Sequence, residues 1–213
     1  NGNEDAPPVS LTLAKGDRAS YLAGEHATVT AADWPVPGTD WTELSLAPGK
    51  GLTPVAPAPR TTASYLTVPS LPTMTDGPTT SLIEAAGARA LTGLLPLLTR
   101  TDLASIDGLT GQTFTTRPLA SDVDLVGPLA LDLELATSTP GSGIWAVLSD
   151  VAPDGSSHPL TVGRLSTSYP GVVAERSLTD AQGRIVQPYG DYSRPSAAKP
   201  GEFRRYQVEL WPV

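Results

Sequence analysis

"LSDVAPDGSSHPLTVGRLS", residues 148–166, is the stretch whose reading decides the fold class. One apolar run ends at Val151, another starts near Leu160, and Asp154-Gly155 stands between them. Asp-Gly flanked by apolar runs signals a hairpin, because glycine takes the left-handed backbone that a tight reversal needs. The same stretch holds Asp150, Asp154, Ser156, Ser157 and His158, the residue types of a serine hydrolase's charge-relay set. A relay set draws its members from distant parts of a chain, since neighbours in one tight turn cannot aim at a common centre. The cluster therefore reads as turn residues on an antiparallel hairpin joining 144–151 to 159–166, with Gly155 at positive φ.

Outward from this hairpin the pattern repeats. The 22 prolines and 20 glycines are spread between short β-rich runs, as many strands joined by turns require. Candidate strands are 9–14, 41–47, 64–68, 112–117, 122–127, 129–137, 144–151, 160–166 and 204–211. The run "LALDLELA" alternates leucine with Ala, Asp and Glu, the period of a strand with one buried face. One segment differs: "TTSLIEAAGARALTGLLPLLTR" (79–100) spaces Leu82, Ile83, Ala86, Leu91, Leu94, Leu95 and Leu98 close to the helical period. Thr80 or Ser81 caps it and Pro96 bends or ends it, which predicts one amphipathic helix between two β regions. The stretches 55–62 and 190–202 read as exposed connections.

Composition excludes several classes. At 213 residues the chain is long enough for one large β domain or two small ones. A net charge of −8 without a basic run lacks the electrostatic footprint of nucleic-acid binding and disfavours anionic membrane surfaces. No apolar run approaches the roughly 20 residues that span a bilayer. The chain has no cysteine, so disulfide and thiolate chemistry are excluded. His26 and His158 are too few and too far apart for a histidine-rich metal site. No cofactor or metal is expected, and no signal-peptide pattern opens the sequence.

Other chemical-looking strings have plain readings. Ser196-Ala197-Ala198-Lys199 fits S-x-x-K, but Pro195 and Pro200 bracket it in a loop and its companion strings are missing. Pro140-Gly141-Ser142-Gly143 lacks the first glycine of a nucleophile elbow. Asp122 with Asp124, and Asp132 with Glu134, read as i,i+2 pairs on the solvated face of a sheet. Trp34, Trp41, Trp145 and Trp211, on separate segments, read as core or interface anchors, with a sugar-stacking platform as the alternative. Nothing supplies a nucleophile, a base and an oxyanion hole together, so no catalytic residue is assigned.

Together these strings resemble a family. "TFTTRPLASDVDLVGPLALDLELATS" and "AVLSDVAPDGSSHPLTVGRLS" are similar to the opening strands and signature hairpin of one domain. It is the C-terminal jelly-roll domain of the cocaine-esterase and X-Pro dipeptidyl-peptidase group of α/β serine hydrolases. Thr116, Pro118, Leu119, Gly127, Leu148, Asp150, Val151, Pro153, Asp154, Gly155, Gly163 and Arg164 carry the likeness. "KPGEFRRYQVELWPV" resembles the approach to a later strand. "AADWPVPGTDWTELSLAPGKGL" resembles the segment that follows the catalytic domain, and "YLTVPSLPTMTDG" resembles a Pro-rich loop. Ser142-Gly143-Ile144-Trp145 stands where the family carries Asp-Thr-Asp-Phe, the glycine pair of the Pro-rich loop is not kept, and 79–100 looks like an insertion.

The resemblance implies a mainly β chain: a jelly-roll β-sandwich with one inserted amphipathic helix. Residues 1–78 are then a linker and first strands, 79–111 the helical insertion, and 112–213 the sandwich, completed by a partner segment. It implies a non-catalytic domain of an acyl-ester or X-Pro peptide hydrolase, whose triad lies outside this chain. The domain would wall the active site and stabilise the α/β-hydrolase catalytic domain, its partner in the same protein. A small ester or peptide substrate would be met through the parent enzyme, and the helix face of 79–100 would pack on the catalytic domain or a partner chain. Leu71, Pro72 and Met74, in the loop 71–77, are the expected pocket edge. Homo-oligomers and a secreted or cell-envelope location are compatible with this. The rivals are a carbohydrate-binding jelly roll and a purely structural cell-surface module.

Overall fold

A computed structural model describes residues 6–16, 18–54, 62–65 and 111–213. Among the described residues the chain is mainly β, with one short helix α1 (Arg18–Leu22). The strands are β1 (Val9–Ala14), β2 (His26–Ala31), β3 (Ser45–Ala47), β4 (Gly51–Thr53) and β5 (Leu129–Leu135). They continue as β6 (Gly143–Val151), β7 (Ser157–Ser166), β8 (Leu178–Thr179), β9 (Ile185–Gln187) and β10 (Arg204–Leu210). The helix expected over 79–100 and the pocket edge Leu71, Pro72 and Met74 lie outside the described residues, as does the boundary at 78/79.

The chain divides into two compact units. The first comprises residues 1–41, 121–148 and 160–213. Within it β1 and β2 form an antiparallel pair from Val9 opposite Ala31 to Ala14 opposite His26. A four-stranded sheet has the order β5-β10-β7-β6, and β8 and β9 form a further antiparallel pair. β10 runs antiparallel to β5 over its whole length, from Arg204 opposite Leu135 to Leu210 opposite Leu129. It is also antiparallel to β7, where Leu210 faces Gly163. The second unit comprises 42–120 and 149–159, where β3 pairs antiparallel with β4 and Thr115 bridges Gly51.

The core follows from period-two burial. Tyr206, Val208 and Leu210 on β10 are buried, and Arg205 and Glu209 on the opposite face are exposed. Ile144 and Ala146 on β6 and Leu165 on β7 pack with them, joined by Leu129, Leu131, Leu133 and Leu135 of β5, Leu148 and Tyr169. Full burial of each large apolar side chain contributes on the order of 1.5–3 kcal/mol. The Tyr206 hydroxyl, inside this core, donates to the Thr167 carbonyl at 3.3 Å. Thr167 also ties Ser142 at both backbone positions: its N–H donates to the Ser142 carbonyl at 2.9 Å, and its Oγ1 accepts the Ser142 N–H at 2.8 Å.

The hairpin expected around Asp154-Gly155 is present. β6 and β7 are neighbours in one sheet and are joined by five residues, a connection only antiparallel strands allow. The Gly155 N–H closes a four-residue turn on the Ala152 carbonyl at 2.9 Å, with Pro153 second in the turn and Gly155 at φ +84°. The strand β7 starts earlier than expected: Ser157 and His158 belong to it rather than to the turn.

Elsewhere the expected strands change. The run 41–47 shortens to Ser45–Ala47, 112–117 leaves only the bridge at Thr115, and 122–127 is irregular. Asp122 and Asp124 therefore share no strand face, whereas Asp132 and Glu134 do share the outward face of β5. Residues 62–65 hold no regular element, and 66–68 lie outside the described residues. The stretch 190–202 is a connection as expected, yet Ala198 within it is buried.

Candidate functional site

The polar cluster of the hairpin turn is the site the sequence singles out. Asp154 Oδ1 accepts the Ser156 backbone N–H at 2.9 Å and the Ser156 hydroxyl at 2.6 Å. Ser156 Oγ in turn lies 3.0 Å from His158 Nε2. Three members of the cluster thus do meet, against the expectation that neighbours in the turn stay apart. Ser156 and His158, two residues apart, fall on one side of the backbone leaving the turn, and Asp154 reaches Ser156 from within the turn itself.

The order of that chain denies it relay chemistry. In a relay the serine hydroxyl donates to histidine and the histidine to the acid. Here the single Ser156 hydroxyl proton goes to Asp154, so toward His158 the Ser156 oxygen accepts from Nε2–H. Ser156 directs its hydroxyl hydrogen at Asp154 and offers none to His158. The Ser156 hydroxyl and backbone hydrogen bonds hold the Asp154 carboxyl below the ordinary carboxylate range. Ser157 is 4% exposed on β7, out of reach of substrate.

Asp191 repeats the arrangement with no histidine. Its Oδ1 accepts the Ser193 N–H at 2.9 Å and the Ser193 hydroxyl at 2.5 Å, and its carboxyl is lowered for the same reason. Asp180 is a third case. Its Oδ1 accepts the N–H groups of Gln182 and Arg184, and its Oδ2 accepts Arg184 Nε–H at 2.6 Å. Burial pushes this carboxyl up, but the Arg184 backbone and side-chain bonds outweigh burial and leave it lowered. Aspartate accepting N–H groups two residues on is turn chemistry.

The remaining expectations resolve individually. Ser196 Oγ accepts from Arg204 at 2.7 Å in an irregular loop, which leaves S-x-x-K without its helix. Asp132 is gripped by Arg205, whose Nε–H donates to both carboxylate oxygens at 2.9 and 3.0 Å. That pair raises the guanidinium pKa. Asp124 pairs with Lys15 at 2.5 Å. Among the described residues no group of three or more His, Asp and Glu side chains could hold a metal ion. No helix among them is long and apolar enough to cross a membrane.

The tryptophans divide. Trp34 and Trp41 are half-buried, while Trp145 and Trp211 are 44% and 68% exposed. The guanidinium of Arg164 lies 5.7 Å from the Trp145 ring centroid. A groove of about 230 Å³ runs past Arg164, Pro188, Tyr192, Gln207, Glu209 and Trp211. Glu209, which lines it, accepts from Gln187 at 2.7 Å. Sequence reading missed this groove, because its residues are contributed by β7, β10 and the segment after β9. The exposed period-two positions of β10 were its one available signal.

Comparison with known proteins places the chain. The family model of the X-Pro dipeptidyl-peptidase C-terminal non-catalytic domain matches residues 1–213. Two crystal structures of a CocE/NonD family hydrolase from Staphylococcus aureus share the fold, each with a TM-score of 0.60 and 13% sequence identity. The likeness covers 100% of this chain and 32% of theirs, so the chain spans about a third of those proteins. No curated protein matches it.

Proposed function

The chain belongs to the family of X-Pro dipeptidyl-peptidase C-terminal non-catalytic domains, and on that premise we propose that it serves a serine hydrolase as a scaffold. In this reading it walls one side of the active site and stabilises an α/β-hydrolase catalytic domain in the same polypeptide. The parent cleaves acyl-ester or X-Pro peptide bonds through an acyl-enzyme formed on a serine outside residues 1–213. The sheet β5-β10-β7-β6 is one layer of a jelly-roll sandwich spanning 112–213, preceded by a helical insertion and by linker strands in 1–78.

The match over the whole of residues 1–213 carries this proposal. The direction of the Asp154–Ser156–His158 hydrogen bonds supports it, since in this relay-like cluster the serine hydroxyl donates to the aspartate and not to the histidine. The pocket edge is assigned to Leu71, Pro72 and Met74. Met74→Arg in the full-length hydrolase tests it. We expect kcat/KM to change by different factors for bulky and small acyl substrates while the folded fraction is unchanged. Equal kinetics for all substrates would remove this loop from the pocket and leave a scaffold role only.

A carbohydrate-binding role would need bare aromatic faces lying side by side. Trp145 and Trp211 are both exposed, but Arg164 lies over the Trp145 ring, so these two tryptophans do not present bare faces side by side. The hydrolase-scaffold reading is therefore preferred.

A further inference from the structure

The outward side of the four-stranded sheet is not uniform. Toward β5 it is charged and solvated: Asp132 and Glu134 lie opposite Gln207 and Arg205, and Asp132 bonds to both. Toward β6 it is apolar. On β6, Ile144 and Ala146 face the core, so Trp145 and Val147 face outward, at 44% and 41% exposure. On β7, Thr161, Gly163 and Leu165 face inward, which sends Leu160, Val162 and Arg164 outward; Leu160 is 49% exposed. Trp211 continues the outward row of β10 beyond Glu209.

These residues adjoin one another. The Trp211 N–H donates to the Val162 carbonyl at 3.2 Å, and the Thr161 hydroxyl donates to the Trp211 carbonyl at 2.6 Å. Arg164 spans from β7 to the Trp145 ring on β6. An antiparallel sheet that faces water carries polar residues there. Single exposed apolar side chains are ordinary, but a contiguous group marks an interface. Arg164 and Glu209 also face outward within this group, and exposed tryptophans around an arginine are the composition of a protein–protein contact.

We infer that this face, centred on Trp145, Val147, Val162 and Trp211, is the surface on which the domain docks to the catalytic domain of its own polypeptide. The inference rests on the scaffold reading above. The occupant follows from length: the solved hydrolases that share this fold are about three times as long, with 32% of their chain accounted for here. A tethered domain meets the face at an effective concentration on the order of millimolar, which a second copy reaches only at high protein concentration.

The test is photo-crosslinking in the full-length hydrolase, with benzoylphenylalanine replacing Trp211, Val147 or Leu160 in turn. Ser138, exposed in the loop after β5, is the control position. We expect intramolecular cross-links from the sheet-face positions to peptides of the catalytic domain, at several times the yield from Ser138. The three sheet positions guard against one substitution disturbing the fold. Cross-links to the catalytic domain from Ser138 but from none of the sheet positions would overturn this face and spare the scaffold reading. Absence of such cross-links from every position would sink both. Cross-links from the sheet face to a second copy would overturn the choice of occupant.

Discussion

A β-carbon at Gly163 would stand 2.2 Å from the carbonyl oxygen of Glu209, so β7 and β10 cross where only glycine fits. The contact is backbone on backbone, and no rotamer change relieves it. Gly163→Ala must therefore push the two strands apart beside Leu210 and Leu165. Overpacking of this kind costs about 1–3 kcal/mol. Urea unfolding should show a lower midpoint of that size, and an unchanged midpoint would mean the strands are not held this close.

The hairpin turn has a different requirement. Space around Gly155 is open, but its φ is +84°. Gly155→Val is expected to cost about 1 kcal/mol or more through backbone strain alone. Gly155→Asn should cost less, because asparagine tolerates the left-handed region. Thermal unfolding that ranks valine and asparagine equally would contradict the strain account.

Tyr206 has no exposed surface and caps its burial with one hydrogen bond to Thr167. Tyr206→Ala should cost roughly 3–5 kcal/mol, as other large aromatic truncations do. Tyr206→Phe removes only the bond and leaves the Thr167 carbonyl to its other surroundings, so its cost should be about 1 kcal/mol. Chemical denaturation of both variants separates packing from hydrogen bonding.

Stability should fall in acid for a reason that Asp180 illustrates. Its folded pKa is lowered, so its carboxylate favours the native state above the ordinary value of about 3.9. That contribution is lost as pH falls from there through the folded value, when both states become protonated. Asp154 and Asp191 add contributions of the same sign. Asp180→Asn should lower the thermal midpoint at pH 7, and the gap to wild type should shrink steadily below about pH 4. A gap independent of pH would assign Asp180 a purely steric role.

Ser156→Ala and His158→Ala should leave ester and X-Pro anilide hydrolysis by the full-length hydrolase unchanged. The hydroxyl already donates to Asp154, so removing it takes away a turn bond rather than a nucleophile. Turnover by residues 1–213 alone that survives repurification and vanishes with Ser157→Ala would contradict this.

β1, β5 and β10 alternate over six residues or more and are legible to within two residues of their ends, and β6 is legible as a continuous apolar run. β2 alternates in burial over six residues as well, yet sequence reading misses it, because its six residues include only one large apolar side chain, Val29. β4, β8 and β9 hold three residues or fewer, too short for any period to register. The run 122–127 failed the other way: it has strand-like residues, but Val123 and Leu125 are exposed and no strand among the described residues pairs with them. Propensity without a partner does not make a ladder. The Asp154 cluster was legible as a turn, but the direction of its protons was not, because that depends on which atoms the turn brings within reach.

The strand order also sets a timetable. β5 and β7 touch only through β10, and β10 carries the two apolar side chains with no exposed surface, Tyr206 and Val208. β10 is also the last described strand to leave the ribosome. The pairs β1–β2 and β3–β4 can close as soon as their few intervening residues are made. The central sheet must wait, with the leucines of β5 uncovered, while about seventy residues are added between Leu135 and Arg204. Nascent chains stalled anywhere in that interval should be the species that chaperones hold and proteases remove.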